Sequence, residues 1–543
     1  MKLQYSAFYS FFSRQIENMI KIMGNIRWAV CGSFLLLAAL SSAQSQSLEQ
    51  WHHADFDKDK ILGVSTYKAL EMVKGKTPVP VIVAIIDSGT EVTHPDLDNN
   101  LWVNEDEIPG NGIDDDKNGY IDDVHGWSFI GGKNGDVSYD NLEFTRVYAL
   151  LKPRFDGKTA DQIAKADKKD YEKYLRLQTQ YAERMEGAKE EYQQYLDVIG
   201  FYSLSKETIT GILGKENYTL EEVTAIQTDD EMTNASREFI MMAMTENFDT
   251  QLPAWKEHVE SQLNYSYNLT FDSRTIVGDN YNDQRERNYG SNSITGPKAE
   301  HGTHVAGIVG AEVGNEGTDG VCPTAKLMIV RCVPNGDERD KDVANAIRYA
   351  ADNGARIINM SFGKSHSPFK DIVDEAVQYA ESKGVLLIHA AGNDARNIDK
   401  SENFPNKYYL SGGECKTWIE VGASYSAPGI LPADFTNYGK KNVDVFAPGV
   451  EINSTMVNKS YERQSGTSMA SPVTAGVAAA LLAYYPQLSA LQVKAILLKS
   501  AVSYKNQKVI LPGTEKEVKF KKLSRTGAVV NLYEAFQMAE KMN

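Results

Sequence analysis

Cysteine is scarce in this chain, with four residues in 543, and no spacing among them suggests a disulfide framework. Positive charge is also in deficit: 57 Lys and Arg stand against 73 Asp and Glu, a formal net charge of -16. That balance argues against a phosphate-tracking surface, which needs clustered cations, so no nucleic-acid partner is expected. Long apolar runs are missing apart from one near the N-terminus. Trp28 to Leu40 has 13 residues, too short to span a bilayer comfortably. Arg27 precedes it and Ser41-Ser42-Ala43 follows, the charge, core and cleavage-site order of a secretory signal peptide. Residues 1–43 are therefore expected to be removed, with Met19 or Met23 as alternative true starts. The product would be exported, periplasmic or extracellular, with no stable membrane anchor; the rival reading is an uncleaved anchor. Cleavage would remove Cys31 and leave Cys322, Cys332 and Cys415. One disulfide plus a free thiol and three buried free thiols both stay open. Cys322 and Cys332 lie at opposite ends of one expected strand, too far apart to bridge if it is extended.

What is present is an ordinary globular composition, 42% apolar and 24% charged, long enough for one large domain plus an insertion or for two to three domains. Val81-Ile82-Val83-Ala84-Ile85-Ile86 is a continuous, β-branched run that reads as a strand buried on both faces. Similar runs recur at Leu327 to Val330, Arg356 to Met360, Val385 to Ala391, Ile419 to Ala423 and Val443 to Phe446. Helical patterns separate several of them, so the expected class is α/β with a mainly parallel central sheet. Sites in such sheets form at the carboxyl ends of the strands. Between 143 and 290 the character changes. Tyr171, Tyr174, Gln178, Tyr181, Met185, Ala188, Tyr192, Tyr195 and Ile199 recur at helical spacing, and a second helical stretch runs from Glu231 to Leu263. The expected organisation is thus 44–142 and 291–543 forming one domain, interrupted by a helix-rich insertion at 143–290.

Three short motifs sit at expected element boundaries. Asp87-Ser88-Gly89 closes a buried strand, and an Asp there needs a partner. His301-Gly302-Thr303-His304-Val305-Ala306-Gly307 opens a helix whose small residues allow close packing. Gly466-Thr467-Ser468-Met469-Ala470-Ser471-Pro472 leads into an apolar helix, with Pro472 placed in its first turn. Each fragment alone has an ordinary structural reading as a cap, a polar helix start or an N-cap. Together, in the order Asp, His, Ser, they match a constellation whose chemistry needs all three. Serine is a poor nucleophile until an imidazole takes its proton, and a carboxylate holds that imidazole in the useful tautomer.

These motifs, together with Asn359-Met360-Ser361-Phe362-Gly363, Ala390-Ala391-Gly392-Asn393 and Val445-Phe446-Ala447-Pro448-Gly449, resemble those of the subtilisin-like serine proteases. The resemblance covers about 80–140 and 290–500. It implies a three-layer subtilisin-like fold and a serine endopeptidase that cleaves polypeptides through an acyl-enzyme on Ser468, without a catalytic cofactor. By the same resemblance Asp87, His301 and Ser468 form the triad, Asn393 is the oxyanion-hole donor, and His304 is structural. Ser361, Phe362 and Gly363 would pair with extended substrate, and Ala390, Ala391 and Gly392 would form the opposite pocket wall. Small residues there leave room for a sizeable side chain and favour a broad, apolar P1 preference. The rival from another class is a catalytically idle binding or scaffold protein that uses the helical insertion. An esterase or peptide ligase on the same nucleophile is a third reading.

The chain departs from the family pattern in three places. Asp87 and His301 are 214 residues apart, so the insertion must be bridged, and it would overhang the cleft and restrict substrates. Residues 44 to about 77 are too few for a folded inhibitory propeptide, and no sorting or sugar-binding module is expected after Asn543. Asp114, Asp116, Asn118 and Gly119 follow the opening of a calcium loop, with Asp122 or Asp123 to complete it. His125 stands where an EF-hand needs Glu, so the expectation is a structural, non-EF calcium site, weighed against an Asx-rich turn. Asp55, Asp57 and Asp59 copy the spacing without the glycine and read as a solvated loop.

Overall fold

The computed structural model describes residues 49–315 and 317–542. Residues 1–43, expected from the sequence to be a signal peptide, lie outside the described residues. By their internal packing the described residues divide into two compact units, one made of those up to 138 together with those from 274 onward and the other of Tyr139–Ser273.

In the first unit the apolar runs form a nine-stranded sheet. Its strands are β1 (Val81–Asp87), β2 (Gly126–Ser128), β3 (Ala325–Arg331), β4 (Ile357–Met360), β5 (Leu386–Ala390), β6 (Trp418–Ser424), β7 (Val445–Pro448), β8 (Val502–Ser503) and β9 (Ala528–Val529). The order is β8-β9-β7-β6-β5-β4-β1-β3-β2, and every pairing is parallel except β8 with β9, so β8 alone is reversed. Period-two alternation builds the three layers. Val83 and Ile85 of β1 join one core with helices Glu300–Gly310 and Thr467–Tyr484. Ala84 and Ile86 join a second core with helices Asp340–Asp352 and Lys370–Ser382. This is the expected three-layer α/β architecture. Among the described residues Thr467–Tyr484 is the one helix long and apolar enough to cross a membrane, and nearly all of it is buried in the first core.

Residues 274–289, read from the sequence as insertion, pack within the first unit. The buried Arg274 bonds Asp279 at 2.6 Å and Asp342 at 2.7 Å, and the fully buried Lys341 bonds Asp279 at 2.6 Å. These ion pairs return the chain to helix Asp340–Asp352, which is why the division falls at 273/274 rather than 290/291.

The residues before β1 also belong to this core. Trp51 is buried and its Nε1 donates to the Val450 carbonyl at 3.0 Å. Asp55 is not a solvated loop residue: it is buried, caps Phe56–Asp59 and accepts from Ser65 Oγ at 2.9 Å and Lys68 Nζ at 3.0 Å. Cys322, Cys332 and Cys415 are all buried and free.

In the second unit the tyrosine stripe lies on a single helix of 46 residues, Lys168–Leu213. Helix Glu143–Phe155 packs on its first half, where Tyr148 stacks on Tyr174. Helices Glu231–Thr245 and Phe248–Ser261, separated at Asn247, pack on its second half through Phe201–Phe239, Tyr202–Phe248 and Tyr195–Trp255. The second helical stretch is therefore two helices on one spine.

Candidate active site

Asp87 is the last residue of β1 and is 2% exposed, while His301 is the second residue of its helix and keeps 38% of its side chain exposed. Their contact spans 214 residues: Asp87 Oδ1 lies 2.7 Å from His301 Nδ1 and accepts from Ser88 N, also at 2.7 Å. Gly302 makes the approach possible. A Cβ there would stand 2.1 Å from the Gly89 carbonyl and 3.2 Å from Asp87 Cβ, so a side chain would push the helix off the strand end. Burial draws the His301 pKa down, but the charge and hydrogen bond of Asp87 outweigh it and hold the pKa above 6.5. The carboxylate accepts the Nδ1–H hydrogen bond, which keeps that proton on Nδ1 and leaves Nε2 as the nitrogen free to act as a base. His304, one turn on, is buried with Nε2 on the Glu462 carbonyl at 3.0 Å.

Ser468 is half-buried in the first turn of helix Thr467–Tyr484, where backbone N–H groups lack helical acceptors. Because the helix starts at Thr467, Pro472 falls in its second turn and not in its first. Proline has no N–H to give the carbonyl four residues back. That carbonyl belongs to Ser468, and Ser361 Oγ supplies the missing donor at 2.9 Å. In return Ser468 Oγ donates to the Ser361 carbonyl at 3.2 Å. Asn359, buried in β4, orients this pair: its Nδ2 donates to Ser361 Oγ at 3.0 Å and its Oδ1 accepts from Ser471 Oγ at 2.7 Å. The sequence reading gave Asn359 no role; a buried amide beside two helix-start serines was the available signal. Met469, adjacent to Ser468, is 1% exposed and belongs to the core.

Asn393 Oδ1 accepts from both Thr467 N and Thr467 Oγ1, each at 2.9 Å. This fixes the amide with Nδ2 as its free donor. Nδ2 and the Ser468 backbone N approach one locus: the Cβ position of Gly466 lies 3.4 Å from the first and 3.5 Å from the second. Two donors converging beside a serine can bind an oxygen that gains negative charge. Gly392 N donates to Thr467 Oγ1 at 3.1 Å, so Ala390-Ala391-Gly392 flanks one side of the helix start while Ser361-Phe362-Gly363 flanks the other.

The sequence profile of the subtilase family matches residues 80–527. The chain belongs to the subtilase family. Over 184 residues this subtilase is 43% identical to a thermophilic serine proteinase of Bacillus sp. strain AK1, which covers 33% of this chain and 42% of that one. Over 205 residues it is 35% identical to subtilisin DY of Bacillus licheniformis, covering 37% and 70%. A solved protease from Pseudoalteromonas arctica PAMC 21717 shows 27% identity and a TM-score of 0.36 over 48% of this chain and 75% of that chain. The chain spans about half the length of the first curated relatives it matches.

The acidic loop of this subtilase is arranged differently from the four residues its spacing singled out. Asp114 and Asp116 do converge, but their third partner is the buried Glu107, and the three offer oxygens within 4.8 Å of one another. Asp122 turns away, accepting from Asn111 N at 3.1 Å and Gly112 N at 2.9 Å. Asn118 gives its amide to Asp116 and Asp123 and takes Tyr120 N on its oxygen. A hard, all-oxygen set of this kind suits calcium chemically. Glu107 stands outside the sequence spacing because the chain folds back to deliver it.

Proposed function

We propose that this subtilase is an exported serine endopeptidase, periplasmic or extracellular, that hydrolyses polypeptides through an acyl-enzyme on Ser468. The observation that carries the reading is the 2.7 Å contact between Asp87 Oδ1 and His301 Nδ1. Ser468 beside the Asn393 amide supports it.

In this mechanism Ser468 leaves the Ser361 carbonyl, and its Oγ attacks the scissile carbonyl carbon. The Oγ proton passes to His301 Nε2, and Asp87 stabilises the imidazolium that forms. The carbonyl oxygen, now negative, accepts from Asn393 Nδ2 and Ser468 N. Collapse breaks the C–N bond, His301 returns its proton to the leaving amine, and water then releases the acyl group by the same route. An extended substrate pairs by its backbone with Ser361-Phe362-Gly363, opposite Ala390-Ala391-Gly392. Backbone pairing reads few side chains, which favours broad specificity along most of the peptide. Glu107, Asp114 and Asp116 would hold a structural calcium ion, which supplies charge balance to the acidic loop and takes no part in the chemistry.

A serine-directed phosphonate tests the reading. It should label the wild-type chain and not Ser468→Ala. Equal or absent labelling would favour an idle scaffold.

A further inference from the structure

The Asp87 carboxylate is held at one oxygen. Oδ1 meets His301 Nδ1 and accepts from Ser88 N, both at 2.7 Å, while Oδ2 is buried with no hydrogen-bond partner among the described residues. Its orientation towards His301 therefore depends on the backbone of Ser88. Ser88 also reaches the histidine helix, because its Oγ accepts from Gly302 N at 3.3 Å. Both peptide groups that flank Ser88 are fixed by the end of β3 and the two residues after it. The Asp87 carbonyl accepts from Cys332 N at 3.0 Å and Val333 N at 3.2 Å, and the Ser88 carbonyl accepts from Arg331 Nε at 3.0 Å. Fixing these two planes fixes the two soft dihedrals between them.

Arg331 is 1% exposed, and the rest of its guanidinium grips a second segment. Nη1 donates to Asp136 Oδ1 at 2.7 Å and to Ser128 Oγ at 3.2 Å, and Nη2 donates to the Val137 carbonyl. Gly296 leaves the space for it. The place a Cβ would take there lies 2.2 Å from Arg331 Nε and 2.4 Å from its Cζ, so any side chain would displace the guanidinium. Burying a charge is costly, and an apolar residue of like volume would fill the same space more cheaply. A planar fork of donors does what an apolar residue cannot: it holds several acceptors in one fixed relation. Here that relation joins Ser88, beside the triad carboxylate, to Asp136 and Val137, just before the inserted unit begins at Tyr139.

We propose that Arg331 is a positioning residue for the triad. Through the Ser88 carbonyl it sets the backbone that aims Asp87 at His301, and its grip on Asp136 makes that aim depend on the segment leading into the inserted unit. The inference rests on the proposed endopeptidase activity. Arg331 is buried and bonds none of the three triad side chains, so its loss should act on kcat and leave KM little changed.

The test uses the full chain and counts working sites by phosphonate labelling of Ser468 taken to completion, so that turnover is expressed per reactive serine. Arg331→Met replaces the fork with an apolar chain. Turnover per site should fall by roughly ten- to a hundred-fold, and the rate of labelling should fall with it. The low-field proton resonance of the His301 Nδ1–H bonded to Asp87 should broaden or vanish. A role confined to stability would lower the melting temperature and the number of working sites, but not the turnover of each. Arg331→Lys restores a donor and the charge and should recover part of the loss. Asp136→Asn, at a partly exposed position, should give a smaller loss of the same kind, and it decides the matter if neither Arg331 variant folds. Wild-type turnover per site in Arg331→Met or in Asp136→Asn, or an effect confined to KM, overturns this proposal alone. A wild-type chain that neither labels nor cleaves overturns the activity and this inference with it.

Discussion

Ser361 and Ser468 exchange hydrogen bonds across 107 residues, hydroxyl to carbonyl in both directions, at 2.9 and 3.2 Å. Pro472 creates the vacancy that Ser361 fills. Ser361→Ala should strand the Ser468 carbonyl and cost about 1 kcal/mol of stability, with a fall in kcat larger than any change in KM. Adding Pro472→Ala restores an N–H four residues after Ser468 and should recover part of both losses. A double-mutant cycle that finds the two substitutions strictly additive would remove the link between them.

Asp87→Asn should lower kcat by about 10⁴-fold while leaving the fold intact, since the amide presents the wrong partner to His301. The pH profile gives a second readout. His301 works as a base only when neutral, and Asp87 holds its pKa above 6.5. Wild-type kcat/KM should therefore fall on the acid side with a midpoint above 6.5, and the residual activity of Asp87→Asn should titrate lower.

Asn393→Ala removes one of the two donors that meet near Gly466. The expected loss is roughly 10²–10³ in kcat with KM little changed, a magnitude carried over from subtilisin itself. Steady-state kinetics check it; a change confined to KM would reassign Asn393 to substrate binding.

Acid should destabilise this protein earlier than carboxylate protonation alone would. Burial drives His52 well below its ordinary value, with the charges of His53 and His304 adding to the effect. Burial likewise lowers His53 to about 4 against an opposing Asp319 carbonyl, and His304 to about 4 against the Glu462 carbonyl. These bases are neutral when folded and take protons near 6.5 when unfolded. Stability is therefore full above about 6.5 and falls as pH drops towards about 4, by roughly 1.4 kcal/mol per pH unit for each histidine. Denaturant midpoints between pH 7 and 4.5 measure the slope, and His52→Leu should flatten it.

Chelation should lower the melting temperature by a few degrees if Glu107, Asp114 and Asp116 hold calcium, because a ligand of the folded state alone stabilises it. In Glu107→Gln the same treatment should have little effect. An unchanged wild-type melting temperature would leave the loop as a hydrogen-bonded turn.

What the sequence by itself determined is local. The unbroken apolar run of β1, the helix-opening His301 and the small residues around Ser468 are decided by neighbours within about one helical turn or one pleat. The six central strands and the alternation that splits the core into two layers follow from them, whereas the short edge strands β2, β8 and β9 do not. The tertiary structure alone decided what depends on distant segments meeting. Asp55 is buried because Ser65 and Lys68 reach it, and 274–289 belongs to the first unit through buried ion pairs to Asp342 and Lys341. Glu107, and not Asp122, meets Asp114 and Asp116 because the loop folds back over it, with Asp115 N, Asp116 N and Asp122 N all donating to the Glu107 carboxylate. Hydrogen-bond satisfaction in a buried space depends on every group that faces it, and no spacing along one strand or helix encodes that.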